Sequence, residues 1–154
     1  VLKMADGRTF IQSISMLRYA GKLSGLYPEN PVDALACDMI CETANELMAN
    51  APQDSDPEKK KKAREEYAAG KMKAYTSIIS KAVQAAEGKW ACGNNFSIAD
   101  LAILFFTGSL MSGNFDFVPA SYLDDYPVLK ELHGNIKSHE IVTKWLAKVE
   151  ASKS

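Results

Sequence analysis

Apolar residues alternate with polar ones only at the start of the chain; from residue 14 onward they recur at threes and fours. Val1–Ala5 and Arg8–Ile11 read as two short strands. Asp6-Gly7 between them is a two-residue hairpin signal, because glycine accepts the positive φ such a turn needs. The second strand, through Thr9-Phe10-Ile11, runs straight into Gln12-Ser13. Ile14, Leu17, Arg18 and Tyr19 then open an amphipathic helix that runs out near Gly21 to Gly25. Leu23–Pro31, with its prolines and Gly/Ser positions, reads as a linker.

Beyond Pro31 the pattern is helical to the end. Val32, Leu35, Met39, Thr43 and Leu47 mark one helix by their spacing. Pro52–Pro57 interrupts it. Ser55 with Glu58 then forms a predicted capping box, with Pro57 in the first turn. A long helix follows through Tyr67, Tyr75, Ile78, Ile79, Ala82, Val83 and Ala86, closed by Gly88 and Gly93-Asn94-Asn95. Ile98–Met111 is apolar nearly all round, as a helix central to a bundle is. Two amphipathic helices close the chain, one on Val128, Leu129, Leu132 and Ile136, the other on Val142, Trp145, Leu146 and Val149. The predicted class is mainly α, preceded by a β-hairpin and helix. A lone hairpin is marginal in water. This one begins at Val1 without a Met, so the reading is of a chain that starts inside a domain.

The helix after Gln12 carries candidate chemistry. Ser13 is its predicted N-cap, setting free backbone N–H groups and a positive dipole end beside an amide and a hydroxyl. Such a corner suits a carboxylate. Ser97 and Asp100 are different. No histidine lies near them in sequence to act as a base, so they read as a capping box, with Phe96 and Leu101 as its apolar staple.

Composition narrows the classes. The 154 residues carry a formal net charge of −1 and 47% hydrophobic residues, which suits one globular unit and argues against a nucleic-acid or anionic-membrane partner. The apolar run Leu101–Phe106 is too short to span a bilayer. No secretory leader is visible at Val1–Met4. The Lys59–Lys62 run reads as a solvated first helical turn. Three cysteines, Cys37, Cys41 and Cys92, have no disulfide-framework spacing, and only His133 and His139 could join them, so no metal site is expected. Cys37 and Cys41 share a helix face; they read as small apolar residues in packing, with a redox-sensitive thiol pair as the alternative.

Three motifs together resemble cytosolic glutathione transferases. The first is Asp6-Gly7, the short strand, Gln12-Ser13, then Ile-Ser-Met-Leu-Arg-Tyr at 14–19 and Gly25-Leu26-Tyr27-Pro28. It is similar to the end of that family's thioredoxin-like domain. The second, Phe96-Ser97-Ile98-Ala99-Asp100-Leu101, matches the family's Ser/Thr-x-x-Asp box at its central helix. The third runs from Tyr126-Pro127 to Trp145-Leu146 and resembles the closing helices. Residues 38–47 look most like the sigma and pi branches, sigma slightly ahead. The resemblance divides the chain into the C-terminal part of a thioredoxin-like, glutathione-binding domain (1–22), a linker (23–30) and the all-helical domain (31–154).

The resemblance implies roles by position. Gln12 would offer its amide, and Ser13 its hydroxyl and backbone N–H, to the γ-glutamyl end of glutathione, the co-substrate. Glu46 matches an acidic position, usually Asp in the family, that reaches across a homodimer interface toward the glutathione ammonium; a solvated helical Glu is the alternative. Met48 matches a position lining the pocket for the electrophile, with core packing as the alternative. The catalytic hydroxyl of sigma-like members is a Tyr on the first strand. Tyr19, Tyr27, Tyr67, Tyr75, Tyr122 and Tyr126 all lie elsewhere, so no catalytic residue is assigned and the Tyr is expected upstream of Val1. The implied function is a cytoplasmic, dimeric glutathione transferase, or a fragment of one, joining the glutathione thiolate to small apolar electrophiles. The alternative is a non-catalytic binding or structural protein on the same fold, crystallin-like or an adaptor domain.

Overall fold

In the computed structural model, which describes Val1–Ser152, a two-stranded hairpin and one helix sit against a helical domain. Strands β1 (Leu2–Lys3) and β2 (Thr9–Phe10) pair antiparallel, Leu2 opposite Phe10 and Lys3 opposite Thr9. The strands are shorter than their apolar pattern predicts, and the connection is not a two-residue loop. Gly7 donates to the Met4 carbonyl (3.0 Å) and Met4 N–H to the Arg8 carbonyl (2.8 Å), so the loop is Ala5-Asp6-Gly7. The reason is local. Asp6 accepts from Arg8 N–H at 3.0 Å, and Gly7 takes φ 88°, which extends the turn by one left-handed residue.

Helix α1 (Ser13–Ser24) leads through residues 25–30 to α2 (Pro31–Ala49). The connection is packed structure. The Leu26 carbonyl accepts Ile98 N–H (2.9 Å), and Tyr27 hydroxyl donates to Asp38 (2.9 Å), which also pairs with Arg18 of α1 (2.8 Å). Asn30 caps α2 by accepting Val32 N–H at 2.8 Å. Helix α3 (Pro57–Tyr67), a π-helical turn (Ala68–Met72) and α4 (Lys73–Ala85) run on as one long element. Its cap is not Ser55. The Asp56 carboxylate accepts Glu58 N–H (3.0 Å) and Lys59 N–H (3.4 Å). Pro57 at the first helical position makes the residue before it the extended cap, and a carboxylate suits the positive helix end. Within the lysine run Lys60 is half-buried and pairs with Asp116 (2.5 Å).

Helix α5 (Ile98–Met111) is central as predicted, packed against α2, α6 (Pro127–Lys137) and α1. Ile98, Ile103, Phe106 and Leu110 are fully buried along it. A 3-10 turn, Ala120–Asp125, precedes α6, and α7 (Glu140–Ala151) ends the described chain. On α6 the predicted Leu129, Leu132 and Ile136 are core. On α7 only Val142 is buried; Trp145 and Leu146 stay exposed because α7 lies against little but α6.

Packing selects one face of α2 for the core, and Cys37 and Cys41 lie on it as read from the sequence. Its core residues are Cys37, Ile40, Cys41, Ala44 and Leu47. Of the residues whose spacing marks the helix, Val32 (73% exposed), Leu35 (71%) and Met39 point outward and Leu47 is buried. The helix carries apolar residues on two faces, and the face with the smaller side chains is the one that lies close against α5. Periodicity alone cannot choose between two apolar faces.

Candidate functional site

Gln12, not Ser13, is the N-cap of α1. Its carbonyl accepts Met16 N–H (3.1 Å), and Ser13 already occupies the first helical position. A hydroxyl there faces away from the N–H groups a cap serves, so no side chain caps this helix and no acidic residue sits in its first turn. Gln12 holds φ 76° and ψ 109°, the left-handed half of backbone space that a residue with a Cβ avoids. Such a conformation costs about 1–3 kcal/mol and persists where surrounding structure enforces it. Both side chains are exposed, and neither bonds another described residue. The α1 end therefore offers unsatisfied N–H groups, a positive dipole, an amide and a hydroxyl together. That is the donor set of an anion site.

Beside it lies a cavity of about 360 Å³. Ser13, Ile14 and Leu17 of α1 form one wall, Asn45 and Met48 of α2 another, and Leu101 and Phe105 of α5 a third. Met48 is half-buried; it lines this space and also packs against the core. Phe105 is 65% exposed at the rim of an otherwise buried helix. The sequence reading missed Phe105, which in the sequence is one more aromatic in an apolar run.

Glu46 is exposed on α2, on the helix side that carries Leu35 and Met39, and accepts a hydrogen bond from Tyr75 of α4 (2.8 Å). It does not line the cavity beside Ser13. Among the described residues no tyrosine lines that cavity either.

Ser97 and Asp100 lie apart from this corner and form a capping box. One Asp100 carboxylate oxygen accepts Ser97 N–H (2.8 Å) and Ser97 hydroxyl (3.1 Å); the other accepts Ala91 N–H (2.9 Å). Asp100 is fully buried, which pushes its carboxyl above the usual range, while the three donors pull the other way. Phe96, the predicted staple, stacks on His139 of the α7 cap (3.9 Å between centroids) and meets Trp90 edge-on (5.1 Å). Among the described residues no group of three His, Cys, Asp or Glu is placed to hold a metal ion. No described helix is long and apolar enough to cross a membrane.

Gly21 joins the two ends. A Cβ there would stand 2.7 Å from Ile98 Cγ2, so only glycine lets α1 approach the start of α5 this closely.

The chain is similar to rat hPGDS complexed with a quinoline (TM-score 0.74, 17% identity, 90% of this chain and 67% of that one). It is also similar to prostaglandin synthase D of Nilaparvata lugens (0.75, 21%, 94% and 71%). A third likeness is to a pi-class glutathione S-transferase of Onchocerca volvulus (0.74, 22%, 96% and 70%). At these identities the likeness establishes the fold. No curated protein sequence matches the chain. Residues 42–149 match the family model of the glutathione S-transferase C-terminal domain, well over half of the chain, and the chain belongs to that family.

Proposed function

We propose that Gln12 and Ser13 hold the γ-glutamyl end of glutathione and that the chain serves a transferase reaction on small apolar electrophiles. The observation that carries this reading is the strained, uncapped start of α1, because a merely structural helix end would be capped and relaxed. The carboxylate of the γ-glutamyl group would take the Ser13 hydroxyl and N–H, with the Gln12 amide beside it. Charge-assisted hydrogen bonds of this kind are worth about 1.5–3 kcal/mol each. The cavity bounded by Ser13, Met48 and Phe105 would then receive the electrophile, its apolar walls favouring apolar substrates. Transfer further needs a donor that stabilises the glutathione thiolate.

We assign the exposed stripe Val32, Leu35, Met39 on α2, with Ile78 of α4, to a homodimer interface. Glu46 lies at the end of that stripe, where it could reach the glutathione ammonium in the second subunit. The domain limits read from the sequence (1–22, 23–30 and 31–154) and a cytoplasmic site of action belong to the same proposal.

The test is calorimetric titration of glutathione into the protein and into Gln12→Ala, with turnover of 1-chloro-2,4-dinitrobenzene measured alongside. The expected result is affinity weakened at least tenfold, equivalent to about 1.4 kcal/mol, at an unchanged melting temperature. Equal affinity in the two proteins overturns the assignment. One observation favours a second reading: among the described residues no tyrosine lines the cavity beside Ser13. Glutathione binding with no turnover would make the chain a non-catalytic binding or structural member of the family, crystallin-like or an adaptor.

A further inference from the structure

Among the described residues, the Tyr122 hydroxyl is the only buried side-chain polar atom with no hydrogen-bond partner. Thr76 and Tyr126, the hydroxyls that act on it, spend their own protons elsewhere. Thr76 donates to the Met72 carbonyl (2.9 Å) and Tyr126 to the Lys73 carbonyl (3.4 Å). Burial pushes the Tyr122 phenol up to about 12, so at neutral pH it keeps its proton and stays a donor. A buried donor without an acceptor is destabilising, and folded proteins hold few of them.

Tyr122 also lines a hollow of about 340 Å³, at the lower end of the range for small-molecule sites. Two departures from regular structure border the same hollow. Ala68 and Ala69, in the π-helical turn between α3 and α4, form one wall. Single π turns of this kind recur at functional sites. Phe117 forms another wall and holds φ 63°, left-handed backbone that a bulky residue avoids. Tyr122 and Tyr126, their rings stacked with centroids 5.9 Å apart, complete the lining. An orphan donor, a π turn and a strained aromatic residue therefore meet at one place.

The lining sets the chemistry of what fits. Three aromatic side chains favour a flat aromatic surface. The exposed rim carries Glu65, Asp125 and Lys73, charges of both signs, so neither an anion nor a cation meets a wall of opposite charge. The orphan hydroxyl calls for an acceptor. We propose that this hollow binds a small, neutral, flat aromatic molecule whose carbonyl oxygen accepts from the Tyr122 hydroxyl. No lining residue is shared with the cavity beside Ser13, so the site is independent of the Gln12 corner and of the space assigned to the electrophile.

The experiment titrates para-fluoroacetophenone into the whole chain and follows binding by fluorine NMR. Para-fluoroethylbenzene serves as the same shape without the acceptor, and para-fluorobenzoate and para-fluorobenzylammonium as charged counterparts. The ketone should bind most tightly and the ethylbenzene about fivefold more weakly, as the loss of one hydrogen bond implies. Both ions should bind more weakly than the ketone. Tyr122→Phe should bring the ketone down to the level of the ethylbenzene at an unchanged or raised melting temperature, because it removes an unsatisfied buried group. Ala69→Trp, which fills the hollow from its exposed helical wall, should abolish binding of both. Equal binding of ketone and ethylbenzene by the unmodified protein overturns the proposal, as does tighter binding of either ion. Ketone binding that survives Tyr122→Phe at full strength, or survives Ala69→Trp, overturns it too, the latter by placing the ketone elsewhere. Because the ranking of the four compounds uses the unmodified protein, a variant that fails to fold leaves the decision with that ranking. Glutathione titrated into the same three proteins should give one affinity, so a failure of the Gln12 reading leaves the ketone series untouched.

Discussion

Ser13 and Ser97 each stand where an apolar helix begins, and a sequence treats them alike; the folded chain does not. Ser97 is buried, its N–H and hydroxyl both spent on Asp100, which also gathers Ala91 N–H. Ser13 is exposed at a helix end with no cap, behind a glutamine forced to φ 76°. One end satisfies every polar group and lies against the core. The other leaves donors open and stores strain. The contrast separates a helix start built for stability from the strained, open one to which we assign a ligand.

The sharpest way to test the stable end is Asp100→Ala. It orphans three donors, two of them backbone N–H groups, at a fully buried position. Each loss leaves a desolvated donor, so a combined cost of about 3 kcal/mol is expected as a lowered urea midpoint at unchanged slope. The folded protein should keep its glutathione affinity within about twofold, as distant sites act independently. A large affinity loss would show that the two ends are one unit.

Gly21→Ala tests the joint between them. The added methyl meets Ile98 Cγ2 at 2.7 Å on the fully buried first residue of α5. Ile98 or the whole of α1 must shift, at a cost of about 1–3 kcal/mol. Here stability and glutathione affinity should fall together, because α1 carries Gln12 and Ser13. Affinity retained at full strength would mean that the corner is positioned by the hairpin rather than by α5.

Much of this was legible from the chain. The capping box could be read because Ser97 and Asp100 are three residues apart and their chemistry is local. Gln12-Ser13 was legible as a corner, but not its geometry. A positive φ at a glutamine is imposed by the surrounding fold, so the sequence alone points to Ser13 as the cap. Asp56 displaced Ser55 for a reason the sequence did contain: Pro57 fixes the residue before it as extended. On α2 the packing of Cys37 and Cys41 was legible, but Val32, Leu35 and Met39 are also apolar at helical spacing and point outward. Non-local packing, not local propensity, decides which of the two apolar faces is core.

Gln12→Gly sharpens the ligand end. Glycine adopts φ 76° without the Cβ penalty, so the protein should gain about 1–2 kcal/mol, partly offset by the extra freedom of glycine in the unfolded chain. A melting temperature raised by a few degrees, together with glutathione affinity weakened about tenfold, would show strain and binding residing in the same residue. An unchanged or lowered melting temperature would mean that the backbone there is not strained in solution.

The smallest effects come from a matched pair of serine substitutions. Ser97→Ala removes a buried hydroxyl from the box and should cost about 1 kcal/mol, near the middle of the range for cap losses. Ser13→Ala removes a hydroxyl that bonds no described residue from an exposed first-turn position, where alanine is the better helix former. It should be neutral or stabilising by about 0.3 kcal/mol. Its effect should appear only when glutathione is titrated, as weaker binding, while Ser97→Ala shows the reverse pattern. If both serines cost stability equally, Ser13 is a cap in solution and the open corner closes when no ligand is present. If neither changes glutathione binding, the helix end at Ser13 is exposed without being a site, and the transferase reading loses its first contact with the substrate.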